Sequence, residues 1–272
     1  MKRISVFLLC IVTVIGLLAA GCGSADNKPA QSAQADTAAD IKAIKDRGVL
    51  KVGVKVDVPK FGFKDPQTNK IDGLEIDIAR AVAKKILGDP TKIDVQGVTA
   101  KTRGPLLDNG EVDLVIATFT ITEERKQSYN FSDPYFKDGV AMMVKKSSGI
   151  EAVKDMNGKK IGVAQSATSR KALQEEADKA GVKVQFLEFG TYPEIKTALD
   201  SGRIDVFSVD GSILAGYLDD STTILKDRFA PQEYGVASKK SNAALAKAVN
   251  EVIADMKKNG ELDKLVQKWG IK

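Results

Sequence analysis

Histidine is absent from the 272-residue sequence, and its two cysteines, Cys10 and Cys22, both fall in the first 22 residues. An imidazole general base, an imidazole metal ligand and a histidine pH switch are therefore excluded. The remaining chain has no thiol, which removes cysteine nucleophiles, thiolate zinc sites and internal disulfides. A surplus of one charge is also missing: 41 Lys and Arg face 36 Asp and Glu, a formal +5, with no basic run of the kind that tracks a phosphate backbone. Nucleic acid is not an expected partner, and no motif calls for a cofactor. At 43% apolar and 28% charged residues, with the signs mixed, the chain is too apolar to be disordered, and a globular body is expected.

The N-terminus is different. Met1-Lys2-Arg3 is basic and residues 4–25 carry no charge, long enough for either a signal peptide or a membrane span. The end of this run discriminates between them: Leu18-Ala19-Ala20-Gly21-Cys22 resembles the lipobox of bacterial lipoproteins, although Ala19 stands where that motif more often has Leu. The resemblance implies a signal peptide over 1–21 and a lipidated Cys22. More than one acyl chain would tether the body to the extracytoplasmic face of the cell membrane, since one chain alone binds marginally. The small, polar stretch that completes residues 22–39 has the composition of a flexible linker, with a reach on the order of 20–25 Å.

Past the linker the hydrophobic period changes repeatedly. Leu50 to Val56 alternates like a strand, Leu74, Ile78, Val82 and Ile86 recur every four residues behind a possible cap at Asp72, and Val112 to Thr118 is an apolar run suited to a strand buried on both faces. Strands and helices then alternate through Ile161–Ala164, Thr168–Ala180, Val182–Leu187, a helix after Pro193, and Ile204–Val209. This pattern predicts an α/β body with largely parallel sheets. Leu107-Asp-Asn-Gly-Glu-Val-Asp113 is echoed by Leu199-Asp-Ser-Gly-Arg-Ile-Asp205, which suggests two lobes of like design. The last stretches, Asn242–Met256 and Glu261–Trp269, are helical without a strand and must pack on a lobe already formed. The chain would then cross between lobes twice, near Lys137–Val140 and Gln232–Gly235. Two adjacent crossings make a hinge, and a cleft between lobes suits a small ligand.

The segment from Lys101 to Arg125, with Tyr129-Asn-Phe-Ser-Asp-Pro-Tyr135, resembles solute-binding protein family 3, the polar amino acid receptors of ABC importers. The likeness runs from about Ile41 to Trp269 and is nearest to the aspartate/glutamate-binding surface-antigen branch. It implies a type II periplasmic-binding-protein fold, with lobe 1 formed by 40–138 and 234–272 and lobe 2 by 139–233. It also implies a monomer that delivers its ligand to an ABC permease in the membrane.

By the same resemblance, Arg125 of the T-I-T-x-x-R segment clamps the ligand α-carboxylate, as the planar guanidinium fork suits. Thr118 and Thr120 would supply hydroxyl and backbone groups, and Gln165–Ser169, with Ser166 and Thr168, would offer N–H groups from the other lobe. Asp210 would take the α-ammonium. For Thr168 and Asp210 the alternative is an ordinary helix cap. Arg103, Lys55 and Tyr192 stand at side-chain positions of the acidic-ligand branch. A buried guanidinium without a counter-anion is costly, so Arg103 and Lys55 point to aspartate or glutamate, with glutamine or a broader polar amino acid as the alternative. A dehydratase of the same fold would need a free acid or base in the cleft, and only Asp210 is placed there, so an enzyme is not expected. A surface adhesin or sensor using the same cleft is a further alternative.

Overall fold

The computed structural model describes residues 30–271. The signal segment and Cys22 lie outside the described residues. Helix α1 (Ala30–Arg47) leads into strand β1 (Leu50–Val54), the short strands β2 (Asp57–Val58), β3 (Gly62–Lys64) and β4 (Ile71–Asp72), helix α2 (Leu74–Leu87), β5 (Ile93–Gly97), α3 (Arg103–Asn109), β6 (Leu114–Ile116), α4 (Glu123–Ser128) and β7 (Tyr129–Phe131). The second lobe runs through β8 (Phe136–Lys145), β9 (Lys160–Ala164), α5 (Ser169–Lys179), β10 (Gln185–Phe189), α6 (Tyr192–Asp200), β11 (Val206–Asp210), α7 (Gly211–Ala215), β12 (Thr222–Ile224) and β13 (Phe229–Tyr234). The chain then returns as β14 (Ala237–Lys239), α8 (Ala243–Lys258) and α9 (Glu261–Lys268).

The first sheet has the order β5-β1-β6-β14-β7, the second β10-β9-β11-β8-β12 with β13 also on β8. Each begins with three parallel strands and ends in antiparallel ones, so both sheets are mixed where largely parallel sheets were expected. The reason is the double crossing, which delivers β8 and β14 to their sheets from the opposite lobe.

The sequence echo has a physical counterpart. Gly110 and Gly202 end their helices at φ 76° and 75°. The Asp three residues beyond each binds the neighbouring strand: Asp113 Oδ2 accepts the Lys51 N–H and Asp205 Oδ2 the Lys160 N–H, both at 2.8 Å. Each carboxylate satisfies the first free amide of a central parallel strand and so sets its register.

In the first sheet, Val52 and Val54 are covered on one face by α2, whose Leu74, Ile78, Val82 and Ile86 are all buried. Full burial of such side chains contributes about 1.5–3 kcal/mol each. Helix α8 packs on α1 and α2. At the crossing, β8 and β13 pair antiparallel, with Phe136 opposite Tyr234 and Asp138 opposite Gln232. Tyr234 is fully buried among Phe61, Tyr135 and Phe136, at ring-centroid distances of 5.8–6.2 Å, and this aromatic knot joins the cores of the two lobes.

Two local expectations differ. Residues 30–39, read as irregular linker, belong to α1: Ala and Gln are good helix formers and no Gly or Pro interrupts them. The N-cap of α2 is Gly73, not Asp72. Its φ of 147° and a site where a Cβ would sit 2.1 Å from the Phe61 carbonyl oxygen admit only glycine, while Asp72 pairs with Arg80.

Candidate functional site

The residues singled out from sequence follow the carboxyl ends of parallel strands, where α/β sheets form ligand crevices. Lys55 follows β1, Thr118 and Thr120 follow β6, Ser166 and Thr168 follow β9, Tyr192 follows β10, and Asp210 ends β11. Arg103 opens α3 beyond β5. The structure distributes them, with residues not foreseen, over separate bonded groups, several of which link the two lobes.

Arg103 and Arg125 lie over the ring of Phe119, their guanidinium carbons 4.1 and 4.7 Å from its centroid. Arg103 Nη1 donates to the carbonyls of Ala117 (2.6 Å) and Thr118 (3.0 Å). Arg125 Nη1 donates to Thr120 O at 2.7 Å, and its Nη2 crosses to the second lobe, reaching Ser166 O at 3.1 Å. Burial, helped by the Arg103 charge, lowers the pKa of Arg125 to about 9, so an anion beside it would relieve an existing penalty.

The backbone here is strained. Thr118 has φ +43° and Ser166 φ +61°, the left-handed region that a β-branched residue rarely enters. Glu75 Oε1 holds the Thr118 N–H at 2.5 Å, and Arg125 holds the Ser166 carbonyl. Gln232, on the crossing strand β13, binds both lobes: its Oε1 accepts the hydroxyls of Thr120 (2.7 Å) and Thr168 (2.8 Å). Thr168 occupies the N-cap position of α5 without a capping hydrogen bond, its backbone already helical at φ −78° and ψ −22°, and its hydroxyl donates to Gln232 instead.

Asp210 likewise sits at the head of α7 without capping it. Asp138 accepts the Ser212 N–H there at 2.8 Å. The Asp210 carboxylate instead accepts the Tyr234 hydroxyl and is buried with its pKa raised to about 7, first by desolvation and then by the Asp138 charge, against the pull of Tyr234, Arg103 and Arg125.

At the opposite end, Lys55 Nζ pairs with Asp57 Oδ1 at 2.9 Å and lies 4.6 Å from the Tyr192 ring centroid. Tyr192 N–H reaches Asp57 Oδ2 at 3.3 Å, and the Tyr217 hydroxyl donates to the Asp57 carbonyl, so the lobes meet closely at this rim. At the other rim, a cavity of ≈ 750 Å³ opens between Glu124 and Arg125 on one side and Ser166, Thr168 and Lys171 on the other.

Among the described residues the fully buried charged side chains are Lys55, Arg103, Glu75 and Asp210, two of each sign. This corrects the premise of the acidic-ligand expectation. The counter-anions that a ligand's second carboxylate was to supply are present in the protein as Asp57 beside Lys55 and Glu75 acting on Arg103. Sequence reasoning missed Glu75, Asp57, Phe119, Gln232 and Tyr234. For Glu75 a signal existed: it precedes the buried Ile78 and Ala79 by three and four residues, which puts a carboxylate on the apolar face of α2.

The profile of the bacterial extracellular solute-binding proteins, family 3, matches residues 50–272. The chain is 40% identical, over 99% of its length and 97% of the relative's, to the ABC transporter glutamine-binding protein GlnH of Bacillus subtilis strain 168. It is 41% identical to the glutamine-binding protein of Geobacillus stearothermophilus, over 92% of this chain and 99% of that one. Among solved structures, an ancestral arginine-binding protein bound to glutamine superposes with a TM-score of 0.72 at 36% identity, covering 82% of this chain and 98% of the other.

Proposed function

The chain belongs to the bacterial extracellular solute-binding proteins of family 3, and from that premise we propose that it is the receptor of an ABC amino acid importer, binding a free polar amino acid, glutamine before aspartate or glutamate, between its lobes. Arg125 receives the α-carboxylate, aided by N–H groups of Ser166 to Ser169, and Asp210 receives the α-ammonium. An amino acid main chain is a zwitterion, so it leaves the balance of Arg125 against Asp210 unchanged while supplying each with a charged hydrogen-bond partner. Thr118 and Thr120 complete the main-chain site, and Lys55, Arg103 and Tyr192 face the side chain.

The observation that carries the choice of ligand is the Lys55–Asp57 pair at 2.9 Å. With Lys55 neutralised and Glu75 beside Arg103, the side-chain end has no surplus cation for a second carboxylate. The glutamine-binding relatives support the same reading.

Closure arises from ligand groups that touch both lobes, since only differential affinity for the closed form shifts the equilibrium. Residues 40–138 with 234–272 move as one lobe and 139–233 as the other, about the paired strands β8 and β13. The lipobox-like Cys22 would hold the receptor at the outer face of the membrane, within reach of a permease. Among the described residues no helix is long and apolar enough to cross a membrane.

Calorimetric titration with glutamine, asparagine, glutamate and aspartate tests the reading. Glutamine binding at least tenfold tighter than glutamate at pH 7.5 is expected. Tighter glutamate would return the assignment to the acidic ligand, and binding of none of the four would remove it.

A further inference from the structure

Glu75 is fully buried and only half used. Its Oε1 accepts the Thr118 N–H at 2.5 Å and the Tyr135 hydroxyl at 2.6 Å, whereas its Oε2, a buried atom, has no hydrogen-bond partner among the described residues. Arg103 is buried and half used in the same way: Nη1 is bound to two carbonyls, and Nε is without a partner. The two side chains are close enough for each charge to act on the other. An unmatched acceptor and an unmatched donor thus remain within electrostatic reach of each other but not bonded, and buried groups of this kind carry a desolvation cost until something satisfies them.

We propose that Glu75 is the residue that distinguishes amide from carboxylate side chains in the ligand: its free Oε2 accepts the amide N–H of glutamine while Arg103 Nε donates to the amide oxygen. This rests on the amino acid receptor reading above. An amide carries one donor and one acceptor and satisfies both protein groups. A carboxylate carries acceptors only, so it could satisfy Arg103 but would place its second oxygen against the Glu75 carboxylate.

A protonated Glu75 removes that conflict, because its O–H can donate to a ligand carboxylate. The charged and titratable groups facing Glu75 are Lys55 beyond β1, Arg103 on α3 and Tyr135 before β8. Burial outweighs their combined pull and raises the Glu75 pKa to about 7. Discrimination should therefore depend on pH, with the glutamine preference largest above pH 7 and narrowing as pH falls.

The test is calorimetric titration of the full mature chain and of Glu75→Gln with glutamine and glutamate at pH 6.0 and 8.0. Glu75→Gln keeps an oxygen for Thr118 and Tyr135, and circular dichroism and thermal unfolding verify its fold. Tyr135→Phe, which loses a bond to Oε1 but leaves Oε2, is the comparison variant. The wild type should prefer glutamine at least tenfold at pH 8.0, with the ratio falling severalfold at pH 6.0. In Glu75→Gln the ratio should collapse toward unity and lose its pH dependence, while Tyr135→Phe, which removes a bond that lowers the Glu75 pKa, should keep a pH-dependent ratio whose fall is shifted to higher pH. If Glu75→Gln weakens both ligands equally, or if the wild-type ratio is the same at both pH values, the assignment of Glu75 is overturned while the receptor reading stands. If the wild type binds no amino acid, the receptor reading itself fails.

Discussion

The hydroxyl of Thr168, in the second lobe, donates to Gln232 Oε1 at 2.8 Å, and the same oxygen takes the hydroxyl of Thr120 from the first lobe at 2.7 Å. One acceptor on a crossing strand thus ties both lobes, and moving the lobes apart must lengthen one of the two bonds. Gln232→Ala should weaken amino acid binding roughly 5- to 30-fold, at about 1 kcal/mol for each lost bond. Gln232→Glu, which keeps an acceptor, should lose less. Titration calorimetry with small-angle scattering of the liganded forms checks both the affinity and the closed fraction.

Arg125 spans the lobes through Thr120 O and Ser166 O and is the proposed carboxylate clamp. Arg125→Lys cannot offer a planar fork. Loss of charged hydrogen bonds worth about 1.5–3 kcal/mol each should reduce affinity on the order of 100-fold or more, for glutamine and glutamate alike. A loss confined to one of them would place Arg125 at the side-chain end instead.

The raised pKa of Asp210, about 7, means that the folded unliganded protein holds this proton more tightly than the unfolded chain. Its contribution to stability is complete below about pH 4 and is lost as pH rises through 7. Asp210→Asn should therefore match the wild type near pH 4 and become more stable than it at pH 8, while losing ligand binding. Urea unfolding of both proteins across this range checks the divergence, and parallel curves would refute it.

Gly73 allows α2 to start directly against Phe61. Gly73→Ala combines a forbidden φ with a Cβ placed 2.1 Å from a carbonyl oxygen, and should cost on the order of 3 kcal/mol or more. A drop in the urea midpoint at unchanged slope is the expected signature.

Asp113 and Asp205 hold the amides of Lys51 and Lys160 at matching positions of the two lobes. Alanine at either should lower the unfolding free energy by about 0.5–1.5 kcal/mol, the net worth of a hydrogen bond that water can replace, with the smaller loss at Asp205, whose bond is exposed. Ligand affinity should stay within twofold, because both lie at the strand ends remote from the cleft.

Much of this architecture was legible in the linear chain. The four-residue recurrence of Leu74, Ile78, Val82 and Ile86 located α2, the apolar run from Val112 located β6, and the two Gly-x-x-Asp echoes marked corresponding strands of two lobes. These are local signals: period, propensity and turn chemistry act over a few residues. The cap of α2 was misplaced by one residue because the close approach of Phe61 that demands Gly73 is a tertiary contact.

The absence of histidine and of a thiol in the body was set by the sequence alone, and so was the placing of Lys55 and Asp210 at strand ends and of Arg103 and Arg125 in the helical segments beyond strands. Which charges remain available in the cleft was decided only by the tertiary structure. Asp57 is two residues from Lys55, yet only the turn between β1 and β2 closes the pair. Glu75 comes within electrostatic reach of Arg103 only when α2 and α3 dock on the same sheet. Charge balance in a buried site is a sum over neighbours in space, and folding chooses those neighbours from distant parts of the chain.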